Sequence, residues 1–444
     1  MKTRRRNTDT VCRQEAQVIP ISTHRNTKVL SATLWLLCAA ACSRTRTTID
    51  TTNRTAAPVV VSPEVAGPAP EPQAPPAATA GQSFDREARQ LFRIAACAGD
   101  EPVPDDLEPT VEAHCALFRP ALDAYRRYVE SAGPFLTGLQ PPGLPTTVVY
   151  PFGGGDLLSA LTTYPTLTEV TTLSLEHAGD PRRAVASDAE SLADSLRRFR
   201  NDINGLLTMS DSTTENMMDL QRGDIPGQLA FFLVALAIHD QVPISLRYFR
   251  LEEDGSIHYL DEREIGEIED ELAKQLNQRW KSPDFSVAFS NVELTFRPKN
   301  EPNAPVRVHR HIAANLMDGP LAADPRVMNF LEKYDHMTAM TKAASYTLWN
   351  PSFSRIRTYL IEHMTFMISD STGIPQQYLP PSQFVRETYG TFAGPFLDAN
   401  MRDAEDFREL WRSQPTRPLP FRWGYLDADR RPHLMVTRRI TDAQ

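Results

Sequence analysis

The chain has 444 residues, enough for one large domain or two ordinary ones, and a formal net charge of -9. That balance, with no concentrated Lys/Arg surface downstream of the N-terminal region, argues against a nucleic-acid partner. A hydrophobic fraction of 41% is enough for a buried core, while 36 unevenly spread prolines mark part of the chain as non-globular.

The first 42 residues read as a signal peptide. Lys2, Arg4, Arg5 and Arg6 open the chain, and Arg25 and Lys28 precede an apolar run from Val29 to Ala41. The run has the length of a secretory h-region and falls short of the roughly 18 to 20 residues that span a bilayer. It ends in Ala39-Ala40-Ala41-Cys42, which resembles a lipobox, with Cys42 as the residue to be lipidated. Leu is usual where Ala39 stands. An ordinary signal peptide cut nearby, a short uncleaved anchor and a later start remain alternatives. The expected place is the cell envelope, outside the cytoplasm, with a membrane reached through the lipid.

Residues 43–84 are rich in Pro, Ala and Thr and cannot bury enough apolar surface to offset the entropy of ordering, so they read as a disordered tether. Five cysteines are present, Cys12, Cys38, Cys42, Cys97 and Cys115, and processing at Cys42 would leave Cys97 and Cys115 to form one disulfide. No CxxC and no zinc-finger spacing occurs, so no metal centre is expected.

A helical segment is expected over residues 85–137, with Pro102 and Pro104 dividing two helices and Pro120 kinking or splitting the second. The remainder, residues 138–440, reads as an α/β domain. Thr146 to Tyr150 is a strand candidate, followed by the turn Gly153-Gly154-Gly155-Asp156, a short helix from Leu157 and a second strand from Val170 to Leu175. Gln228 to His239 is apolar all round, which predicts a helix buried against a sheet. Ile244–Leu251 and Ser256–Leu260 flank Asp254-Gly255 as a hairpin, and Glu264 to Trp280 reads as a surface helix. Strands are expected at Val292–Phe296, Val306–Ile312 and Thr338–Trp349. A helix capped by Ser352 is predicted to carry Phe353, Ile356, Leu360, Met364 and Met367 on one face, and Phe421–Leu426 with His433–Thr437 reads as a closing hairpin. The alternation predicts a Rossmann-like layered sheet with an antiparallel edge, preceded by the small helical segment.

Several blocks resemble a family of uncharacterised exported bacterial proteins, often lipoproteins. Tyr150-Pro151-Phe152-Gly153-Gly154-Gly155-Asp156 is similar to its Tyr-Pro-Phe-Ser-Gly-x-Asp block, and Lys342-Ala343-Ala344-Ser345-Tyr346 to Lys-x-Ala-Ser-Tyr. Asp370-Ser371-Thr372-Gly373-Ile374-Pro375 is similar to Asp-Asp-Ser-Gly-Ile-Pro. Gly153 stands where the family has Ser, and Ser371 where it has a second Asp. The resemblance implies export and brings no activity.

The glycine turn is the leading ligand candidate: Gly153, Gly154 and Gly155 let a backbone approach a ligand, at the start of a helix whose free N–H groups suit an anion. Asp156 and Glu176 are the nearest carboxylates, Glu176 lying where nucleotide folds place a ribose-binding acid. GxGxxG is absent, so no cofactor is expected, and a structural turn is the plainer account. Lys342 with Ser345 and Tyr346 could do acid–base work if desolvated, and Asp370 sits in a run of turn formers. His309 and His311 share a face if their segment is a strand, but no third metal ligand lies near in sequence. GxSxG, HExxH and the P-loop are missing. Two classes stay open: a binding or structural domain on a degenerate scaffold, and an active enzyme whose site lies near Asp156 and Glu176. Asp156, Glu176, Lys342 and Asp370 meeting in one pocket would favour the second.

Overall fold

The computed structural model describes residues 81–209, 223–276, 287–344, 348–392, 402–424 and 431–440. They all belong to one compact unit, Pro75–Gln444; the other unit, Met1–Ala74, lies outside the described residues, as do the expected signal peptide, Cys42 and nearly all of the expected tether.

The sheet is built around β1 (Thr147–Pro151), β2 (Glu169–Ser174), β6 (Arg307–Ala313), β7 (Met337–Thr341) and β8 (Met364–Ser369), all parallel. Antiparallel strands flank this block: β3 (Gln241–Leu251), β4 (Ile257–Tyr259) and β5 (Asn291–Pro298) on one side, β9 (Phe384–Gly390) and β10 (His433–Arg439) on the other. The full order is β4-β3-β5-β6-β2-β1-β7-β8-β10-β9, so the Rossmann-like α/β expectation holds. Within the parallel block, β1 to β2 to β6 proceeds one way and β7 to β8 the other. The direction reverses between β1 and β7, and such a reversal opens a crevice at the carboxyl ends of the strands.

Alternation on β1 sends its side chains to two cores. Val148 and Tyr150 join the core formed by α1 (Asp85–Ala96), α2 (Glu108–Gly138), α3 (Leu157–Thr163), α5 (Ala189–Met209) and α6 (Gly227–Ile238). Val149 joins the opposite core with α8 (Asp318–Ala323), α9 (Arg326–Leu331) and α10 (Ser354–His363). Helix α6 has no polar face because it has no wet face: every residue is buried, and it packs against α1, α3 and β3. No helix among the described residues is long and apolar enough to cross a membrane. The chain also forms α4 (Arg183–Ala186), α7 (Glu262–Leu276) and α11 (Arg402–Ser413).

Several expectations need correction. Helix α2 runs unbroken through Pro120 and Pro134, which sit on its exposed side, where water can meet the carbonyls they leave free. The predicted strand from Thr338 to Trp349 stops at Thr341. Ser352 caps nothing; the side chain of Asn350 accepts its N–H, and α10 ends at His363, so Met364 and Met367 belong to β8. The closing hairpin does not form: Phe421–Gly424 is not a strand, Leu426 lies outside the described residues, and β10 pairs with β8 and β9. The hairpin at Asp254-Gly255 forms as β3–β4, with Gly255 at φ +75°.

Cys97 and Cys115 are joined as expected, with Cα atoms 5.4 Å apart, and tie the end of α1 to α2. A loop of this size limits the unfolded chain by about 3 kcal/mol. The Cys97→Ser/Cys115→Ser variant is therefore expected to lose about 3 kcal/mol in urea unfolding. An unchanged midpoint would show that the bridge contributes nothing.

Candidate functional site

Three turns meet at the crevice. Chain leaving β1 passes through Phe152–Gly155, chain leaving β7 through Lys342–Ala344, and chain leaving β8 through Asp370–Gly373. β10 starts beside them at His433. Two of these turns hold non-glycine residues in the left-handed region, Phe152 at φ 61° and Ala343 at φ 50°, a conformation that neighbours must enforce.

The glycine turn closes β1 but does not face solvent in a cleft. Gly153, Gly155 and Asp156 are buried, and Gly154 is half-buried at φ +48°. A Cβ on Gly153 would lie 2.8 Å from the Tyr150 ring, and one on Gly155 would lie 3.0 Å from Phe231 of α6. The glycines thus accommodate the protein's own rings.

Asp156 is the N-cap of α3, its Oδ1 accepting from the Ser159 N–H at 3.0 Å. Its Oδ2 accepts from the Tyr150 hydroxyl at 3.1 Å and from Lys342 Nζ at 3.4 Å. Lys342 Nζ also donates to Ser159 Oγ at 2.7 Å and stands 5.5 Å from the Trp423 ring centroid. The side chains of Lys342 and Asp156 are 2% and 10% exposed, so the ion pair is internal. Tyr125 of α2 also borders Ser159 and Asp156; burial, first of all, pushes its hydroxyl well above the usual tyrosine range. Arg422 lies over the rings of Tyr125 and Tyr128.

Asp370 ties the other two turns together. Its Oδ2 accepts from the Ala343 N–H at 2.7 Å and its Oδ1 from the Thr372 N–H at 2.8 Å and the Thr372 hydroxyl. Gly424, at φ +75°, comes so near that a Cβ there would lie 2.7 Å from Asp370 Cβ. Next along, Ser371 donates its N–H to His433 Nε2 at 3.1 Å, and its Oγ lies 3.0 Å from the same nitrogen. An Nε2 that accepts a backbone N–H carries no proton, so in the neutral ring the proton sits on Nδ1.

Asp156, Lys342 and Asp370 therefore belong to one connected cluster. Glu176 is buried too, but its described interactions lie on the β6 side: its carbonyl accepts from His311 Nε2 at 2.8 Å, and its carboxylate lies near His177 and His311. Ser345 and Tyr346 lie outside the described residues. Sequence reasoning missed Ser159, Tyr125, Trp423 and His433. Only Ser159 carried a local signal, three residues after the capping Asp156.

His309 and His311 do share a face of β6. Both are fully buried and bind one hydroxyl, Thr172 Oγ1, at 2.9 and 3.0 Å. The Phe232 ring lies 4.3 Å from that of His309, so the two imidazoles are part of the core. Cys97, His114 and Cys115 bring three ligand atoms within 4.8 Å of one another, but the disulfide takes both sulfurs, leaving no thiolate for a metal. No family model, no curated protein and no solved structure matches this chain.

Proposed function

We propose that the chain is an exported, lipid-anchored envelope protein whose Rossmann-like domain has a binding or structural role and performs no chemistry at the crevice between β1 and β7. The basic start, the short apolar run ending in Cys42 and the Pro/Ala/Thr-rich stretch after it support the anchor and tether. The likeness to exported bacterial lipoproteins points the same way.

One observation carries the non-catalytic reading: the carboxylate and the ammonium at the crevice are buried and bonded to each other. Where a Rossmann-like sheet receives its ligand, Asp156 caps α3, pairs with Lys342 and is covered by aromatic rings. An ammonium that donates to both a carboxylate and a hydroxyl has no lone pair to act as a base. The alternative, an extracytoplasmic enzyme with its site near Asp156 and Glu176, draws on the 2.7 Å approach of Lys342 Nζ to Ser159 Oγ, which a neutral lysine could exploit.

The test is complementation of a deletion strain of the native host. Asp156→Asn/Lys342→Met removes both charges and keeps a capping side chain. A folded, membrane-bound double variant is expected to complement like the wild type; folding without complementation would overturn the reading in which the pair is only structural. Cys42→Ala is expected to leave the membrane fraction, provided that cleavage of the signal peptide is confirmed. Equal membrane binding of both forms would remove the lipid anchor.

A further inference from the structure

A second polar site lies beside α11, just beyond the turn Asp370–Gly373. A cleft of about 540 Å³ is bounded by the turn Gln376–Tyr378, by Asp406 and Leu410 of α11, and by Phe384 and Arg386 of β9. That volume falls in the range of small-molecule sites. Its wall is mixed, with Leu379, Phe384 and Leu410 apolar and Arg386 the cationic group.

Arg386 is 9% exposed. Its Nη2 donates to the Ile374 carbonyl at 2.7 Å and touches Met435 Sδ, while Nε and Nη1 have no hydrogen-bond partner. A guanidinium placed out of water with two donor nitrogens unused is costly, and an acceptor oxygen relieves it more than any apolar neighbour. Burial lowers its pKa to about 9, with Asp406 acting in the opposite sense.

We propose that this cleft binds a small carboxylate with an apolar body, the carboxylate on Arg386 and the body against Leu379, Phe384 and Leu410. A carboxylate oxygen accepts from the unused Nε or Nη1, since Nη2 is already engaged by Ile374 and Met435. One negative charge suits the cleft better than two, because Asp406 already adds a negative charge to the wall. Water does not reach Nε or Nη1 in this closed form, so the carboxylate enters by displacing the wall. The part that yields is the turn Gln376–Tyr378, where Gln376 and Gln377 are exposed and the Gln376 N–H is held by Asp406 Oδ2 at 2.5 Å.

The experiment is calorimetric titration and thermal unfolding of the full-length protein with phenylacetate, hexanoate and inorganic phosphate at constant ionic strength. Phenylacetate and hexanoate are expected to bind and to raise Tm, and phosphate to do neither. Arg386→Met is expected to weaken binding at least about tenfold, the loss of one charge-assisted contact. Asp406→Asn, which removes the opposing charge, is expected to bind about threefold tighter. The Tm of unliganded Arg386→Met reports the balance between relieving a buried charge and losing the donor to the Ile374 carbonyl, so binding is compared on each protein's own baseline. Binding of neither acid to the wild type, equal binding by Arg386→Met, or a preference for phosphate would each overturn the proposal. If Arg386→Met fails to fold, the wild-type titration and Asp406→Asn decide it alone.

Discussion

Taken from pH 7.5 to pH 5, the protein is expected to lose several kcal/mol of stability, well before most carboxylates titrate. His114 is the clearest contributor. It is 2% exposed, donates from Nε2 to the Ala95 carbonyl at 3.2 Å, and accepts at Nδ1 from Arg200 Nη1 at 2.8 Å. Protonation would desolvate a charge and set two cations against each other. Burial above all, with Arg200 adding to it, lowers the pKa to about 4, while the Ala95 hydrogen bond opposes the shift. In the unfolded chain the ring titrates near 6.5, so the unfolded state takes up the proton first. The stabilisation is complete above that value and is lost as pH falls from 6.5 towards 4. By pH 5 His114 alone should have cost about 2 kcal/mol. His177 and His239, both lowered to about 4 chiefly by burial, act with the same sign, as do the fully buried His309 and His311. Against a total of roughly 5–15 kcal/mol for a folded domain, the sum is large. Urea midpoints at pH 7.5, 6 and 5 measure it. A flat series would mean that these rings are not held neutral.

The second large effect is expected at the ion pair. Lys342→Met leaves the Asp156 carboxylate buried with, among the described residues, the Tyr150 hydroxyl and the Ser159 N–H as hydrogen-bond donors, and should cost about 3–5 kcal/mol. Asp156→Asn keeps the cap, because an amide oxygen can also accept from Ser159, but it puts a neutral amide where a carboxylate stood 3.4 Å from the Lys342 ammonium and should also destabilise, by up to about 3–5 kcal/mol. Capping alone would have made that substitution nearly neutral; the pair with Lys342 changes the expectation. Combining the two changes should cost less than their sum, with a coupling on the order of 3 kcal/mol. Denaturant unfolding of the three variants gives the coupling directly. Strict additivity would mean that the ion pair is not formed.

How much of this was legible depends on the element. β1, the glycine turn, α3 and β2 were readable because a β-branched run, three glycines and a short apolar stretch follow in order. β8 was not. Met364-Thr-Phe-Met-Ile-Ser is buried on nearly every position and lacks alternation, and Met364 stands four residues after Leu360, so the helical period runs on into it. What ended the helix was tertiary: β8 is the parallel neighbour of β7. β9 and α11 also escaped notice, although β9 shows some alternation, with Val385 exposed between buried Phe384 and Arg386. At the site, Asp156, Lys342 and Asp370 were named from three separate blocks. Nothing in their spacing could show that one set of turns joins them, or that Tyr125 and Trp423 close over the result. Glu176 followed a nucleotide-binding analogy and instead lies beside the buried histidines.

The pairing of β10 bears on how the protein acquires its shape. β8 and β9 are successive strands, yet neither bonds to the other; each bonds to β10, which comes from farther down the chain. Until residues His433–Arg439 arrive, β8 has an open edge and β9 has no place in the sheet. The final assembly step thus depends on contacts of long sequence separation, which slow folding. On the proposed reading of the chain as exported, that delay would leave the β9 edge of the sheet unassembled until β10 has been made and delivered.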